Sequence, residues 1–382
     1  MLRKRTRRLS TVLASFVAMV VLAACTGTTT ETDSGSGAKK NSGSTGSSSG
    51  SAGGPAIDGQ PQGPYDVRTD GKLTIGWVEL TADCQSCVKA LAEFRSFIED
   101  NDYDWTVETL DSKGDADGAA RAIEDFTTRK VDVIVTAFVV LKASGAAIDG
   151  ANAAKIPVFS LDSGWSPGVV GDVTTNNFDM AAQIAAYLAD SLGGNGNVVS
   201  IWSDQHYGVV IRQEMLENIT KSRYPGIKIL GSKNVTLAGY YQESIDAAEN
   251  FVSRFGDEID AVYCGFDEPC MAAAEVFEKA GLDVPMFGFD GHQQALGEIR
   301  GGDGTSGLVA TMAQQFGPFA TTVGQWINSI LVEGKPVNEV IPVPEVYLPA
   351  KLITPLNVPA EGEDGWTVPG YYDVVSGQAE LK

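Results

Sequence analysis

Hydrophobic positions along this chain fall into two rhythms. Short runs rich in apolar and β-branched residues, Leu73 to Leu80, Trp105 to Leu110, Val131 to Ala137 and Val158 to Leu161, read as strands. Between them, Val88 to Asn101 places Leu91, Phe94, Phe97 and Ile98 on one helical stripe, and Ala116 to Arg129 and Ser144 to Ala154 also read as helices. Strand and helix alternating in this way is the βαβ rhythm of a parallel sheet. The rhythm restarts near Thr175, with a helix over Asp179 to Leu192 and a strand over Asn197 to Trp202. Further strands follow at Ile227 to Lys233, Ala261 to Tyr263 and Met286 to Phe289, with helices between. The expectation is an α/β protein of two similar, doubly wound parallel-sheet lobes.

The strand ends carry the chemistry. In Val284-Pro285-Met286-Phe287-Gly288-Phe289-Asp290-Gly291-His292, Pro285 can open a strand, the next four residues suit burial on both faces, and Gly291 permits a sharp turn. Asp290 is thereby left at the carboxyl end, where open parallel sheets bind ligands. The alternative is that Asp290 caps the helix beginning near Gln293. Three other runs meet an acid in the same way, before Asp83, Asp162 and Asp267, which points to one shared polar crevice. For Glu79 and Asp83 the alternative to a place in that crevice is a solvated loop or a helix cap, and it is the stronger reading.

Charge and the N-terminus change the picture. The formal net charge is −21, which disfavours nucleic acid, whose binding needs clustered Lys and Arg. The first 24 residues read as an export signal: Arg3, Lys4, Arg5, Arg7 and Arg8, then an apolar stretch from Thr11 to Ala24 that is too short to span a bilayer. Leu22-Ala23-Ala24-Cys25 resembles the lipobox of bacterial lipoproteins, which implies a lipid on Cys25 and a place on the outer face of the cytoplasmic membrane. Residues 25–70 then read as a disordered tether, because Thr26 to about Tyr65 is Gly, Ser, Thr and Pro with almost no large apolar residue.

Over roughly Leu73 to Leu356 the chain resembles the type I periplasmic sugar-binding proteins of ABC importers, the ribose- and galactose-binding group. The likeness rests on Lys155-Ile156-Pro157-Val158-Phe159-Ser160-Leu161-Asp162, on Asp267-Glu268 with the helix Met271 to Ala280, on Phe287-Gly288-Phe289-Asp290-Gly291, and on Ala310-Thr311-Met312-Ala313-Gln314. It implies lobes of 71–175 plus 315–345 and of 176–314 plus 346–356, joined by three hinge crossings near Thr175, Gln315 and Val346. Residues 357–382, with Trp366, Tyr371 and Tyr372, form an extension beyond that pattern. The resemblance also implies that Asp162, Arg212, Asp290 and Gln314 bind sugar hydroxyls, with ABC permease subunits as partners. The chemistry is apt, since carboxylates accept from hydroxyls while Arg forks and Gln donates. In the unliganded state Asp290 and Arg212 are expected to line an open, solvated crevice. Trp165, Tyr240, Tyr241 and Phe266 are the aromatics available to cover a sugar's C–H face, or to pack internally.

Departures from the group bear on the ligand. Thr81-Ala82-Asp83-Cys84-Gln85 stands where ribose-type members carry Asn and paired Phe, Ser163 follows Asp162 in place of Arg, and Phe266 replaces an amide. The acidic set Glu79, Asp83, Asp162, Asp267 and Asp290 suits a polyol, a many-hydroxyl sugar, or a cationic solute such as an amino sugar. Besides Cys25 there are four cysteines, Cys84, Cys87, Cys264 and Cys270; an exported protein favours disulfides, and closeness favours pairing Cys84 with Cys87 and Cys264 with Cys270. With only His206 and His292 as histidines, neither a metal site nor a cofactor is expected. No nucleophile elbow or phosphate loop is present, so the chain does not read as an enzyme. Paired acids leave glycoside hydrolysis as a minor alternative, and a sensor lipoprotein presenting its ligand to a receptor as another.

Overall fold

The structure is a computed structural model that describes residues 57–82 and 84–380; the leader, Cys25, the tether up to residue 56 and Asp83 lie outside the described residues. The first lobe opens with β1 (Leu73–Glu79), α1 (Gln85–Asp100), β2 (Trp105–Asp111), α2 (Ala116–Arg129), β3 (Val133–Ala137), α3 (Gly145–Ala153), β4 (Val158–Leu161) and β5 (Gly171–Thr175). The second continues with α4 (Asn177–Ser191), β6 (Asn195–Trp202), α5 (Tyr207–Arg223), β7 (Gly226–Asn234), α6 (Tyr240–Phe255), β8 (Ala261–Cys264), α7 (Asp267–Lys279), β9 (Pro285–Asp290), α8 (Gln293–Gly301) and β10 (Gly307–Ala313). The chain then returns through α9 (Phe316–Ile327) and two short strands, β11 (Glu345–Leu348) and β12 (Lys351–Ile353).

Two six-stranded sheets result, in the orders β11-β5-β4-β3-β1-β2 and β12-β10-β9-β8-β6-β7. All pairings in the first are parallel; in the second only β12 runs antiparallel, against β10. Helices cover both faces, which is why the central strands are apolar throughout rather than alternating. On the first sheet, Trp77 and Phe159 pack with Phe94, Phe319 and Trp326 on one side, while Ile134 and Val158 meet Ile123, Phe126 and Ile148 on the other. Gly76 in β1 sits so close to α2 that a Cβ there would lie 2.5 Å from the Phe126 ring. Local signals set the helix ends: Asp115 caps α2 by accepting from Gly118 N at 3.0 Å, and Asn176 caps α4 from Asp179 N at 3.1 Å.

Two features depart from the sequence reading, and a third, the C-terminal extension, is one whose packing that reading left open. The third crossing was expected near Val346, yet Val346 lies within β11, which pairs with β5 of the first sheet; the chain crosses only between Leu348 and Lys351. The tether was expected to run to residue 70, but its end is docked on the first lobe. Gln60 is buried and donates to Val170 O at 2.9 Å and Ile341 O at 3.1 Å, Tyr65 packs on the core, and Arg68 pairs with Asp132. The C-terminal extension is ordered against the second lobe: Asn357 donates to Leu352 O at 2.9 Å, Arg300 donates to Pro359 O at 3.0 Å, and Tyr371 meets Tyr187 edge-on. From there the extension reaches the first lobe, where Asp364 pairs with Lys89 of α1 at 3.2 Å and the Trp366 ring lies under the same ammonium.

The cleft is closed. His206, at the start of α5, lies 2.7 Å from the carbonyl of Asp162, and the Tyr207 hydroxyl donates to Thr174 Oγ1 at 2.8 Å. Val140 of the first lobe packs with Val209, Leu237 and Phe266 of the second. Arg212 and Asp290, expected in an open crevice, are 2% and 9% exposed.

Candidate functional site

Between the lobes lies a cavity at the carboxyl ends of β1, β3, β4, β8, β9 and β10, reached by Leu80, Phe138, Asp162, Phe266, Asp290 and Gln314. Three of these strand-end residues, Phe138, Asp162 and Asp290, have positive φ (61°, 49° and 109°). For non-glycine residues this conformation costs on the order of 1–3 kcal/mol each, and such strain gathers at binding sites. It turns each side chain out of its sheet into the shared space.

Arg212 of α5 organises the polar wall. Its Nε donates to Asn177 Oδ1 at 2.9 Å, one terminal nitrogen donates to Gly265 O at 2.8 Å and approaches Asp290 Oδ1 at 3.4 Å, and the guanidinium stacks over Phe289. Asp290 Oδ1 also accepts from Gln314 Nε2 at 2.7 Å. Opposite, Asp162 accepts from the Thr174 hydroxyl. Burial pushes Asp162 up to about 6 and raises Asp290 as well, with the Arg212 charge opposing both shifts. Burial, then the Arg212 charge, lowers His206 to about 4, so its ring is neutral at pH 7. Because Nε2 faces a carbonyl, it carries the proton, and Nδ1 is left as an acceptor. Phe138 with Phe316, and Tyr240 with Phe266, form two edge-on aromatic pairs along the apolar wall.

A family model described as periplasmic binding protein domain matches residues 87–331. The chain belongs to that family. A xylitol-binding protein of Mycolicibacterium smegmatis is 26% identical over 230 residues, covering 59% of this chain and 64% of that protein's length. The ribose import binding protein of Bacillus subtilis is 26% identical over 245 residues, 62% of this chain and 74% of the relative. Among solved structures, an ABC transporter solute binding protein from Agrobacterium vitis with bound allitol superposes with a TM-score of 0.67 at 22% identity, over 75% of this chain and 96% of that one, a likeness of fold.

In this periplasmic binding protein, Asp162, Arg212, Asp290, Gln314, Tyr240 and Phe266 meet in one cavity. Asp290 does not cap the following helix; His292 does, its ring accepting from Ala295 N at 3.3 Å. Other residues expected at the site lie elsewhere. Asp267 is fully buried beneath the β9 and β10 ends, accepting from Gly291 N at 2.8 Å and Thr311 Oγ1 at 3.0 Å, so it is a scaffold residue. Trp165 donates to Val169 O at 3.0 Å and packs on the first lobe's core, facing a different cleft. Half-buried Glu79 ends β1 outside the cavity, beside Asp111, and Tyr241 is exposed. Sequence reasoning missed His206, Glu268, Phe138 and Phe316, all of which line the cavity. Both cysteine pairs are joined, Cys84 with Cys87 at the rim and Cys264 with Cys270 beneath Phe266, with Cα separations of 5.2 and 5.6 Å.

Asp172 is a second acid missed from sequence. It lies on β5, fully buried, with Oδ1 accepting from Ser163 N at 3.3 Å. Burial raises it from the ordinary 3.8 to about 8, opposed by the Ser160 hydroxyl and reinforced by Asp162. The folded state thus keeps a proton that the unfolded chain loses near pH 4. On this account stability falls as pH rises from about 4 to about 8 and levels off above. Asp172→Asn is expected to flatten that fall by up to about 1.4 kcal/mol per pH unit. Urea denaturation of both proteins at pH 5, 6, 7 and 8 measures the two slopes; equal slopes would mean that Asp172 is not protonated on folding.

Proposed function

We propose that this chain is an extracytoplasmic solute-binding lipoprotein that captures one sugar or polyol between its lobes and delivers it to an ABC importer. The observation that carries this reading is the closed cavity into which left-handed strand ends turn Asp162 and Asp290, with Arg212 and Gln314 between them. The cavity has a volume of about 70 Å³. That is several times the roughly 10–15 Å³ that a single water requires, room for one small polyol and not for an oligosaccharide. The names of the relatives, which include xylitol- and ribose-binding proteins, agree with that class. The crossings near Thr175, near Gln315 and between Leu348 and Lys351 act as the hinge on which the lobes open and close.

A thermal-shift screen over sugars, polyols and amino sugars tests the capture step. A true ligand at a hundred times its dissociation constant stabilises the fold by about 2.7 kcal/mol. If no compound raises the melting temperature, the solute-binding reading is wrong. The anchor has its own check: Cys25→Ser is expected to release the protein from membranes, and persistent sedimentation with membranes after a high-salt wash would refute lipidation at that residue.

A further inference from the structure

We propose that Glu268 is a specificity-determining residue and that the cavity selects open-chain polyols, in which every oxygen is a hydroxyl, over ring sugars. The inference rests on the solute-binding reading above and narrows it.

Hydrogen-bond capacity at the cavity wall is weighted toward acceptors. Its strongest donors are already engaged within the protein: Gln314 Nε2 with Asp290 Oδ1, His206 Nε2 with Asp162 O, and Arg212 through Nε and one terminal nitrogen with Asn177, Gly265 and Asp290. Of the buried side-chain atoms without a hydrogen-bond partner among the described residues, three belong to residues that line the cavity: Gln314 Oε1, His206 Nδ1 and Glu268 Oε2. Gln314 and His206 are 1% and 7% exposed, so water does not serve them freely. With Gln314 and His206 oriented by their donor contacts, all three atoms can only accept. The remaining side-chain donors of the lining are the spare N–H groups of Arg212 and the hydroxyls of Thr81, Ser86 and Tyr240, and those hydroxyls accept as well as donate.

A buried acceptor left unpaired is costly, so the ligand must bring hydrogens. Each hydroxyl brings one. A ring oxygen brings none, and when placed against lone pairs it loses its hydrogen bond to water without replacement. The open-chain polyol of the same carbon number has one more hydroxyl and no acceptor-only atom, and therefore answers the wall better.

Glu268 is the acceptor that distinguishes this cavity. It stands in the first turn of α7, and Oε2 lies 3.7 Å from His292 Nε2, too far for a hydrogen bond. His292 Nδ1 accepts from Ala295 N, so the ring carries its proton on Nε2, the nitrogen that faces Glu268. Glu268 also stands outside the hydrogen-bonded set of Arg212, Asp290 and Gln314, so it can be changed while that set remains intact.

Calorimetry with matched pairs of pentitol and aldopentose, on the wild-type protein and on Glu268→Gln and Glu268→Ala, tests the proposal, with circular dichroism to verify folding. The best pentitol is expected to bind about tenfold or more tighter than its aldose. Glu268→Gln, which can present an N–H where an oxygen accepted, is expected to narrow that ratio at least about threefold, and Glu268→Ala to weaken the pentitol more than the aldose. Equal or tighter binding of the aldose by the wild-type protein overturns the selectivity while leaving solute capture standing. An unchanged ratio in both variants overturns the role of Glu268, because a merely structural residue shifts both ligands in proportion. Binding of neither class overturns the underlying reading as well.

Discussion

Arg212→Ala is expected to reduce ligand affinity by at least about a hundredfold and to lower stability by about 3–5 kcal/mol. Arg212 holds Asn177, the Gly265 carbonyl and Asp290 together from a fully buried position, so its loss leaves the Asp290 carboxyl buried without its cation. Breaking a buried pair from one side costs that much because the remaining charge is neither solvated nor paired. The affinity term is separate. Charge-assisted hydrogen bonds are worth about 1.5–3 kcal/mol each, and two of them correspond to about a hundredfold or more. Arg212→Lys separates the effects: it keeps the charge and much of the volume, but one ammonium cannot reproduce the fork that meets three partners at fixed angles. Calorimetry on the folded fraction, beside urea denaturation, reads both quantities. Undiminished affinity in folded Arg212→Lys and Arg212→Ala would remove Arg212 from the site.

Asp267→Ala carries the second large effect, and here stability should respond before affinity. The Asp267 side chain joins the start of α7 to the β9 turn and to β10 through Gly291 N and Thr311 Oγ1. Gly288 makes room for it, since a Cβ there would lie 2.3 Å from Oδ1. Burial pushes its pKa well above the ordinary carboxylate value. Truncation leaves two buried donors unpaired at about 1–3 kcal/mol each, for a loss of roughly 2–6 kcal/mol. Asp267→Asn keeps an acceptor of the same shape and should lose much less. Denaturation of both variants provides the measurement. If Asp267→Ala retained wild-type stability while losing affinity, Asp267 would belong to the ligand-contacting set after all.

The contrast between Asp267 and Asp290 shows what a sequence can carry about such a site. Both acids follow buried strands and both precede helices, and residue type does not say which faces the cavity. The difference lies in backbone conformation: Asp290 has positive φ and turns outward, whereas Asp267 enters α7 directly and turns inward. The strands themselves were legible, because burial on both faces demands apolar runs that β1, β3, β4 and β9 possess. β11 was not, because Glu345-Val346-Tyr347-Leu348 is a short edge strand with partly exposed positions, and its pairing is decided by contact with β5. His206 and Glu268 had no signal of their own. A His before a helix and a Glu in a first helical turn are ordinary at helix starts, and only the approach of the two lobes makes them cavity walls. Arg212 was found through family resemblance, since one Arg on a helix of mixed polarity carries no mark of burial.

The C-terminal extension bears on how closure is balanced. Its root lies on one lobe and its Asp364 and Trp366 hold Lys89 of the other, so separating the lobes means letting go of that ammonium. The pair is partly exposed, with 38% and 22% of the two side chains accessible, which limits its worth to about 0.2–1 kcal/mol, or a factor of roughly 1.4 to 5 in the closed-to-open ratio. A partly exposed ion pair weakens as ions crowd around it. Salt would therefore loosen the grip on a solute that carries no charge at all, because the ionic toll is levied on the chain's own end and not on its cargo.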